Sequence, residues 1–228
     1  MEAFTELYAV WPNDTLRRRL NSVFHEIRDI AIGGKHHLTP FFRRDWTPIS
    51  YRGSSNRART THFEQAHISF GHNVETAWLL MEVSKALGFT NDTTTLKVAK
   101  AMDDYVITNG WDQELGRVYD GGYIFQREKE VTITMPTKQW WAEIEAANSF
   151  LMMSELFHND RTSYYQKFCE QWNYIEKCVI DHRYGGRYWG GIDKAPQNEN
   201  GPKATIRKAA YHTTRGMMNC IERLDGKR

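Results

Sequence analysis

The sequence predicts an all-α fold of stacked helix hairpins, and three observations carry that expectation. Apolar residues recur at helical spacing through most of the 228-residue chain. The connections between these stretches alternate between short turns and long loops, and loops and helices share an internal period of about 70 residues.

The elements follow in order. In the opening "MEAFTELYAVW", Ala3, Phe4, Leu7, Tyr8 and Trp11 fall on one helical spacing with no Ser, Thr, Asp or Asn before them to cap the orphan amides of a first turn. A helix over 14–31, capped by Asn13 or Asp14, carries Leu16, Leu20, Val23, Phe24, Ile27 and Ala31 on one face and stops at Gly33 and Gly34. Helices are expected over 72–87, ended by Gly88, and over 92–109, with Asn91 as cap and Gly110 as stop. Two more, 138–157 and 160–180, are joined by a very short turn, and 209–224 closes the chain. Strands have room only as short hairpins inside the long connections 34–69, 110–137 and 181–208.

The period appears twice, independently. Asp112 is followed by Gly116, Tyr119, Gly121 and Gly122, and Asp181 by Gly185, Tyr188, Gly190 and Gly191, the same template 69 residues later. The helices after the long loops read "ETAWLLMEV" from Glu75, "EAANSFLMM" from Glu145 and "RGMMNCIERL" from Arg215, each 70 residues on. Agreement between loop and helix favours a repeating hairpin architecture over an irregular bundle. In such a stack every helix that follows a long loop starts at the same end, so its first turn faces a common mouth.

Composition narrows the function. With 40% hydrophobic residues the chain can bury a sizeable core, and a formal net charge of +2 gives no electrostatic reason to expect nucleic acid or an anionic membrane as partner. Cys169, Cys178 and Cys220 lack CxxC spacing and sit in amphipathic stretches, which predicts reduced thiols and a cytoplasmic address. Neither an export signal nor a membrane span is read. The aromatic share of 13%, with eight tryptophans, is mostly core, but a few could serve sugar rings.

At the mouth the repeats place His72, Ala142 and His212 at one level, with Glu75, Glu145 and Arg215 one turn deeper and Trp140 and Trp141 just before the middle helix. Two imidazoles across one opening suit proton transfer at a stereocentre, one removing a proton and the other returning one. Glu75, three residues after His72, is expected to orient and polarise that imidazole. Of the adjacent Trp140 and Trp141 at most one points inward. His72, Glu75 and His212 could form a metal set, but the spacing has no metal motif behind it, and no metal or other cofactor is assigned. The loop "YRGSSNRARTTHF", with Arg52, Arg57 and Arg59, reads as solvated or as embracing an anion, and its length predicts mobility.

The segments "LYAVWP", "FFRRDWTP", "ISFGHNVETAWLL", "KQWWAEIEA", "YGGRYWG" and "KAAYHTTRGMMNCIERL" resemble the N-acylglucosamine 2-epimerase family, its cellobiose 2-epimerase branch most closely. That resemblance implies an (α/α)6 barrel, a toroid of six helix pairs, and a cofactor-independent carbohydrate 2-epimerase or aldose–ketose isomerase acting on a ring-opened mono- or disaccharide through an ene-diol. It implies His72 and His212 as the acid/base pair with Glu75 beside them, and Trp140, Trp141, Glu145, Tyr211 and Arg215 as substrate-binding residues.

Three departures qualify it. Arg207 and Arg187 stand where the family carries tryptophans, which would fit a smaller or anionic sugar. The family's counterpart of "MEAFTELYAVW" lies near mid-chain, so residues 1–228 are expected to form a single domain supplying roughly the C-terminal half of the barrel. The opening helix would then be cut through the site wall, and a homo-oligomer or a complementing N-terminal half would be the partner. Two readings compete: a glycoside hydrolase using paired carboxylates, Glu75 with Glu145 or Asp120, and a non-catalytic, incomplete paralogue that binds sugar.

Overall fold

The computed structural model describes residues 1–226. Helix α1 (Glu2–Val10) is followed by α2 (Asp14–His25), whose cap is Asn13 Oδ1 accepting from Leu16 N–H and whose end loosens into a π-helical turn, Glu26–Ile32, closed by Gly33 at φ +51°. The long connection that follows holds two short helices, α3 (Asn56–Thr61) and α4 (Phe63–Ala66), where the sequence reading placed a mobile loop. Strand β1 (Ile68–Ser69) leads into α5 (Phe70–Ala86), and α6 (Thr93–Asn109) returns from it, capped by Asp92.

Strands β2 (Trp111–Asp112) and β3 (Arg117–Val118) form one hairpin; β4 (Gly121–Tyr123) and β5 (Thr132–Met135) lead to α7 (Trp140–Leu156). Then come α8 (Tyr164–Tyr174), a π-helical extension Ile175–Val179, a 3-10 turn Pro196–Asn200, and α9 (Tyr211–Leu224). Helix α8 starts later than its apolar pattern suggests, because Asp160 Oδ1 accepts the Thr162 amide in a turn and Ser163 takes a positive φ of 49°.

Contacts divide the helices into two rows. Helices α1, α5, α7 and α9 pack in series, and α2, α6 and α8 lie behind their partners as the second members of hairpins. Helix α7 is buried over nearly its whole length, which is why its apolar residues surround it rather than form a stripe. Among the described residues no helix is long and apolar enough to cross a membrane.

The repeated Gly-Gly pairs have one structural cause. Strand β4 lies between β1 and β5, with Ser69 opposite Gly121 and Ile68 opposite Gly122. One repeat on, Gln139 bridges Gly190 in the same way. A Cβ at Gly121 would lie 2.7 Å from the Ile68 carbonyl, and one at Gly190 2.8 Å from the Lys138 carbonyl, so each loop can lie against the entry to the next inner helix only without a side chain there. A buried ionic cluster clamps the two template loops together: Arg117 sits 3.2 Å from Asp112 and 2.5 Å from Asp193, and Lys138 3.0 Å from Asp112. Tyr174 donates to Asp193 at 2.8 Å.

Candidate active site

Helix α5 begins with a cap that also aims a functional side chain. Ser69 Oγ accepts the His72 backbone N–H and lies 2.8 Å from His72 Nδ1. Gly71 lets α5 approach α7: a Cβ there would meet Ala142 Cβ and the Trp141 ring at 2.7 Å. The His72 imidazole therefore rests against Trp141, ring centroids 4.8 Å apart, and Trp141 meets the His212 ring from α9 at 5.4 Å. The indole stands between two imidazoles brought together from residues 140 apart in the chain.

His212 is tied in a different way. Its Nδ1 lies 2.8 Å from Oε1 of fully buried Glu145, whose other oxygen accepts from Trp78 Nε1 at 3.0 Å. Arg215 Nη2 donates to Glu145 at 2.5 Å and to Glu75 at 2.8 Å, while its Nη1 donates to Glu2 and to the Tyr211 hydroxyl. Glu2, Glu75 and Glu145 occupy equivalent positions in successive repeats, and all three converge on the arginine that replaces glutamate in the last one.

This cluster corrects one expectation: Glu75 does not reach back to His72. It points across to Arg215 and to His212 Nδ1, 3.7 Å away, because a buried carboxylate is drawn to the one guanidinium at its level, and Ser69 takes the place beside His72. Trp140 is likewise set apart from the mouth. It is 3% exposed and packs on Trp189 at 4.7 Å, so Trp141 alone of the pair faces the histidines. Arg187 is buried and Arg207 exposed, and neither lines the cavity described below.

Electrostatics separate the two imidazoles. Desolvation by the surrounding protein, together with His67 and His212, pushes the His72 pKa down to about 4, although the residue is exposed at the surface. Burial lowers His212 too, opposed by the Glu75 charge. Burial, reinforced by repulsion from Glu145, pushes Glu75 up to about 8, and burial does the same to Glu145 against the pull of the Trp78 hydrogen bond, but the Arg215 guanidinium at 2.8 and 2.5 Å acts in the opposite direction and holds both as carboxylates. Both histidines are therefore neutral near pH 7, and each has its Nδ1 occupied, leaving Nε2 for chemistry. Ligand-capable atoms of Glu75, Glu145 and His212 lie within 4.8 Å of one another, but the Arg215 guanidinium already supplies the positive charge between the carboxylates, so the set does not fit a metal ion.

A cavity of about 500 Å³ opens on the His72 side of this arrangement. His67, His72, Asp120, Gln139 and Trp141 line it with Phe41 and Phe63 from the long connection, whereas the Glu75, Glu145 and Arg215 cluster does not. Sequence reasoning missed Ser69, His67 and Trp78 and found no role for Glu2. The signal for Trp78 was its place one turn beyond Glu75, and that for Glu2 its repeat equivalence to Glu75 and Glu145.

Comparison with known proteins adds three facts. The family model described as N-acylglucosamine 2-epimerase (GlcNAc 2-epimerase) matches residues 1–215. A cellobiose 2-epimerase of Bacteroides fragilis is 25% identical over 230 aligned residues, covering 98% of this chain and 51% of that enzyme. Among solved structures, a cellobiose 2-epimerase from Bacillus thermoamylovorans (23% identity, TM-score 0.76, 97% of this chain and 51% of that one) and a D-mannose isomerase (21% identity, TM-score 0.79, 99% and 54%) share the fold. The chain thus spans about half the length of the curated relatives it matches, and in fold it corresponds to about half of an (α/α)6 barrel.

Proposed function

The chain belongs to the N-acylglucosamine 2-epimerase family, and from that premise we propose that it serves a carbohydrate 2-epimerase or aldose–ketose isomerase as the wall that carries the proton-transfer pair. The observation that carries this reading is the pair His72 and His212 flanking Trp141, each with Nδ1 tied, to Ser69 and to Glu145. One Nε2 takes the C2 proton of a ring-opened aldose as the C1=C2 bond forms and the carbonyl oxygen takes up a proton from water, which gives an ene-diol. The other imidazole, charged with a proton from solvent, returns it to the opposite face of C2 as O1 gives up its own to water, or the proton goes to C1 while O2 loses its own and a ketose results; the first imidazolium releases its proton to solvent. The reaction is redox-neutral overall, so it needs no electron carrier. Trp141 supplies the flat apolar surface on which a sugar lies.

Residues 1–228 act as one domain in this reading, and the three free thiols favour a reducing, cytoplasmic setting. Exposed Leu7 and Trp11 on the first helix row and Met218, Ile221 and Leu224 on α9 support a protein surface there, filled by a second copy or a complementing half. Sedimentation of the chain separates the two. The hydrolase reading has less support, because Arg215 holds both Glu75 and Glu145 and leaves neither free as nucleophile or acid.

The test is solvent deuterium exchange. In D2O, C2 of mannose, glucose or cellobiose should gain deuterium when incubated with the chain or with its assembly. Sugar that binds but exchanges nothing across that panel overturns the reading, and release of new reducing ends would favour a hydrolase.

A further inference from the structure

The two imidazoles that flank Trp141 have Nδ1 partners of different chemistry. Glu145 Oε1, 2.8 Å from His212 Nδ1, also receives Arg215, and a carboxylate held in this way can only accept. Ser69 Oγ, 2.8 Å from His72 Nδ1, belongs to a hydroxyl, which accepts through its lone pairs and has one hydrogen to donate. Burial keeps both rings neutral near pH 7. In a neutral imidazole the hydrogen sits on one nitrogen, and what the other nitrogen meets decides which.

The surroundings of Ser69 set the direction of its bond. Its Oγ already accepts the His72 backbone N–H, the cap that closes the first turn of α5. Among the described residues the hydroxyl reaches no other protein acceptor, so its hydrogen goes to Nδ1. The hydroxyl is held in place by the sheet: Ser69 lies opposite Gly121 in β4, and alternation along β1 sends Ile68 into the core and leaves Ser69 on the cavity side with His72. Trp141 supports the His72 ring at 4.8 Å.

We propose that Ser69 is a positioning residue that holds resting His72 as the tautomer with its hydrogen on Nε2, while Glu145 holds His212 as the tautomer with its hydrogen on Nδ1. The two free Nε2 atoms then differ at rest, His212 presenting a lone pair and His72 an N–H. The part these rings play rests on the proton-transfer reading; the tautomers do not. When solvent charges His72 at Nδ1, the Ser69 hydroxyl turns and accepts the new Nδ1–H. Transfer of the Nε2 proton to the sugar leaves a neutral ring with its hydrogen on Nδ1. Gain of a proton at Nε2 and loss of one from Nδ1, both exchanged with water, restore the resting form.

Nitrogen NMR of the full chain, isotopically labelled at histidine, reads the tautomers directly, because a bare ring nitrogen and an N–H resonate far apart. Loss of signals in His72→Asn and His212→Asn assigns them. The expected pattern near pH 7 is a protonated Nε2 and bare Nδ1 for His72, and the reverse for His212. Ser69→Thr keeps the hydroxyl and should keep both the pattern and the rate of C2 exchange. Ser69→Asp still caps the helix but can only accept, so it should put a hydrogen on His72 Nδ1 and lower C2 exchange about 10- to 100-fold, the effect of losing a partner that orients an imidazole. Ser69→Ala should give mixed tautomers and a similar loss. Asp caps as well as Ser does, so a merely structural Ser69 would leave S69D unchanged in both measurements, and S69D covers the case in which S69A folds poorly. A bare Nε2 on His72 in the unaltered chain, a pattern unmoved in S69A and S69D, or full exchange in S69D would overturn the assignment. The expected tautomers without any C2 exchange by the unaltered chain would uphold it and overturn the proton-transfer reading instead.

Discussion

His212 Nδ1 lies 2.8 Å from Oε1 of Glu145, a carboxylate with no exposed surface that is also held by Trp78 and Arg215. In the proposed proton transfer a buried carboxylate in that place would fix the ring and stabilise the imidazolium formed when Nε2 takes a proton. Glu145→Gln keeps the shape and removes the charge. C2 deuterium exchange should fall about 10- to 100-fold, the worth of one charge-assisted hydrogen bond, while sugar affinity changes little.

His72→Asn and His212→Asn should each lower C2 exchange by about 10²- to 10⁴-fold with binding retained, and the double variant should be little worse than the poorer single one, because the proposed mechanism uses the two in one proton relay. Exchange rates of the three variants, measured against their affinity for the same sugar, check this. Full exchange in either single variant would remove that histidine from the mechanism.

The adjacent tryptophans should part company. Trp141→Ala removes a cavity wall and should raise KM or Kd by up to about 10-fold. Trp140→Ala empties a core position against Trp189 and should cost about 3–5 kcal/mol of stability. Denaturant melts read the second effect and titration the first; the reverse pattern would mean that the wrong indole has been placed at the mouth.

Arg117 has no exposed surface and is shared between Asp112 and Asp193. Arg117→Met leaves Asp193 with the Tyr174 hydroxyl and buried Asp112 with Lys138 and, at 3.9 Å, Lys194, so a loss of about 3 kcal/mol is expected in urea melts. Asp112→Asn in the same background should recover part of it.

The pH dependence has an acid limb. His72 has its pKa lowered from 6.5 to about 4, so between those values the unfolded chain binds a proton that the folded one does not, and stability falls as pH drops through that window. Melting temperature should therefore decline on the acid side, and His72→Asn should remove that limb.

Much of this molecule was legible before any coordinates. Helical spacing, caps such as Asn13 and Asp92, and the 70-residue period set out the helix order and the level at which His72, Glu75, Glu145, His212 and Arg215 lie, because periodicity and capping are local properties of the chain. The short helices α3 and α4 were not legible, since six- and four-residue helices bury no periodic stripe that a pattern could reveal.

What only the tertiary structure decided was partnership. Local spacing put Glu75 one turn from His72, yet side-chain direction and a guanidinium from a helix 140 residues away drew it to Arg215. The same distinction sent Trp140 to the core and Trp141 to the mouth, beside a cavity whose other walls come from separate segments. Sequence periodicity determines which face of a helix a residue occupies; which charge it meets there depends on elements far away in the chain, and only packing brings those together.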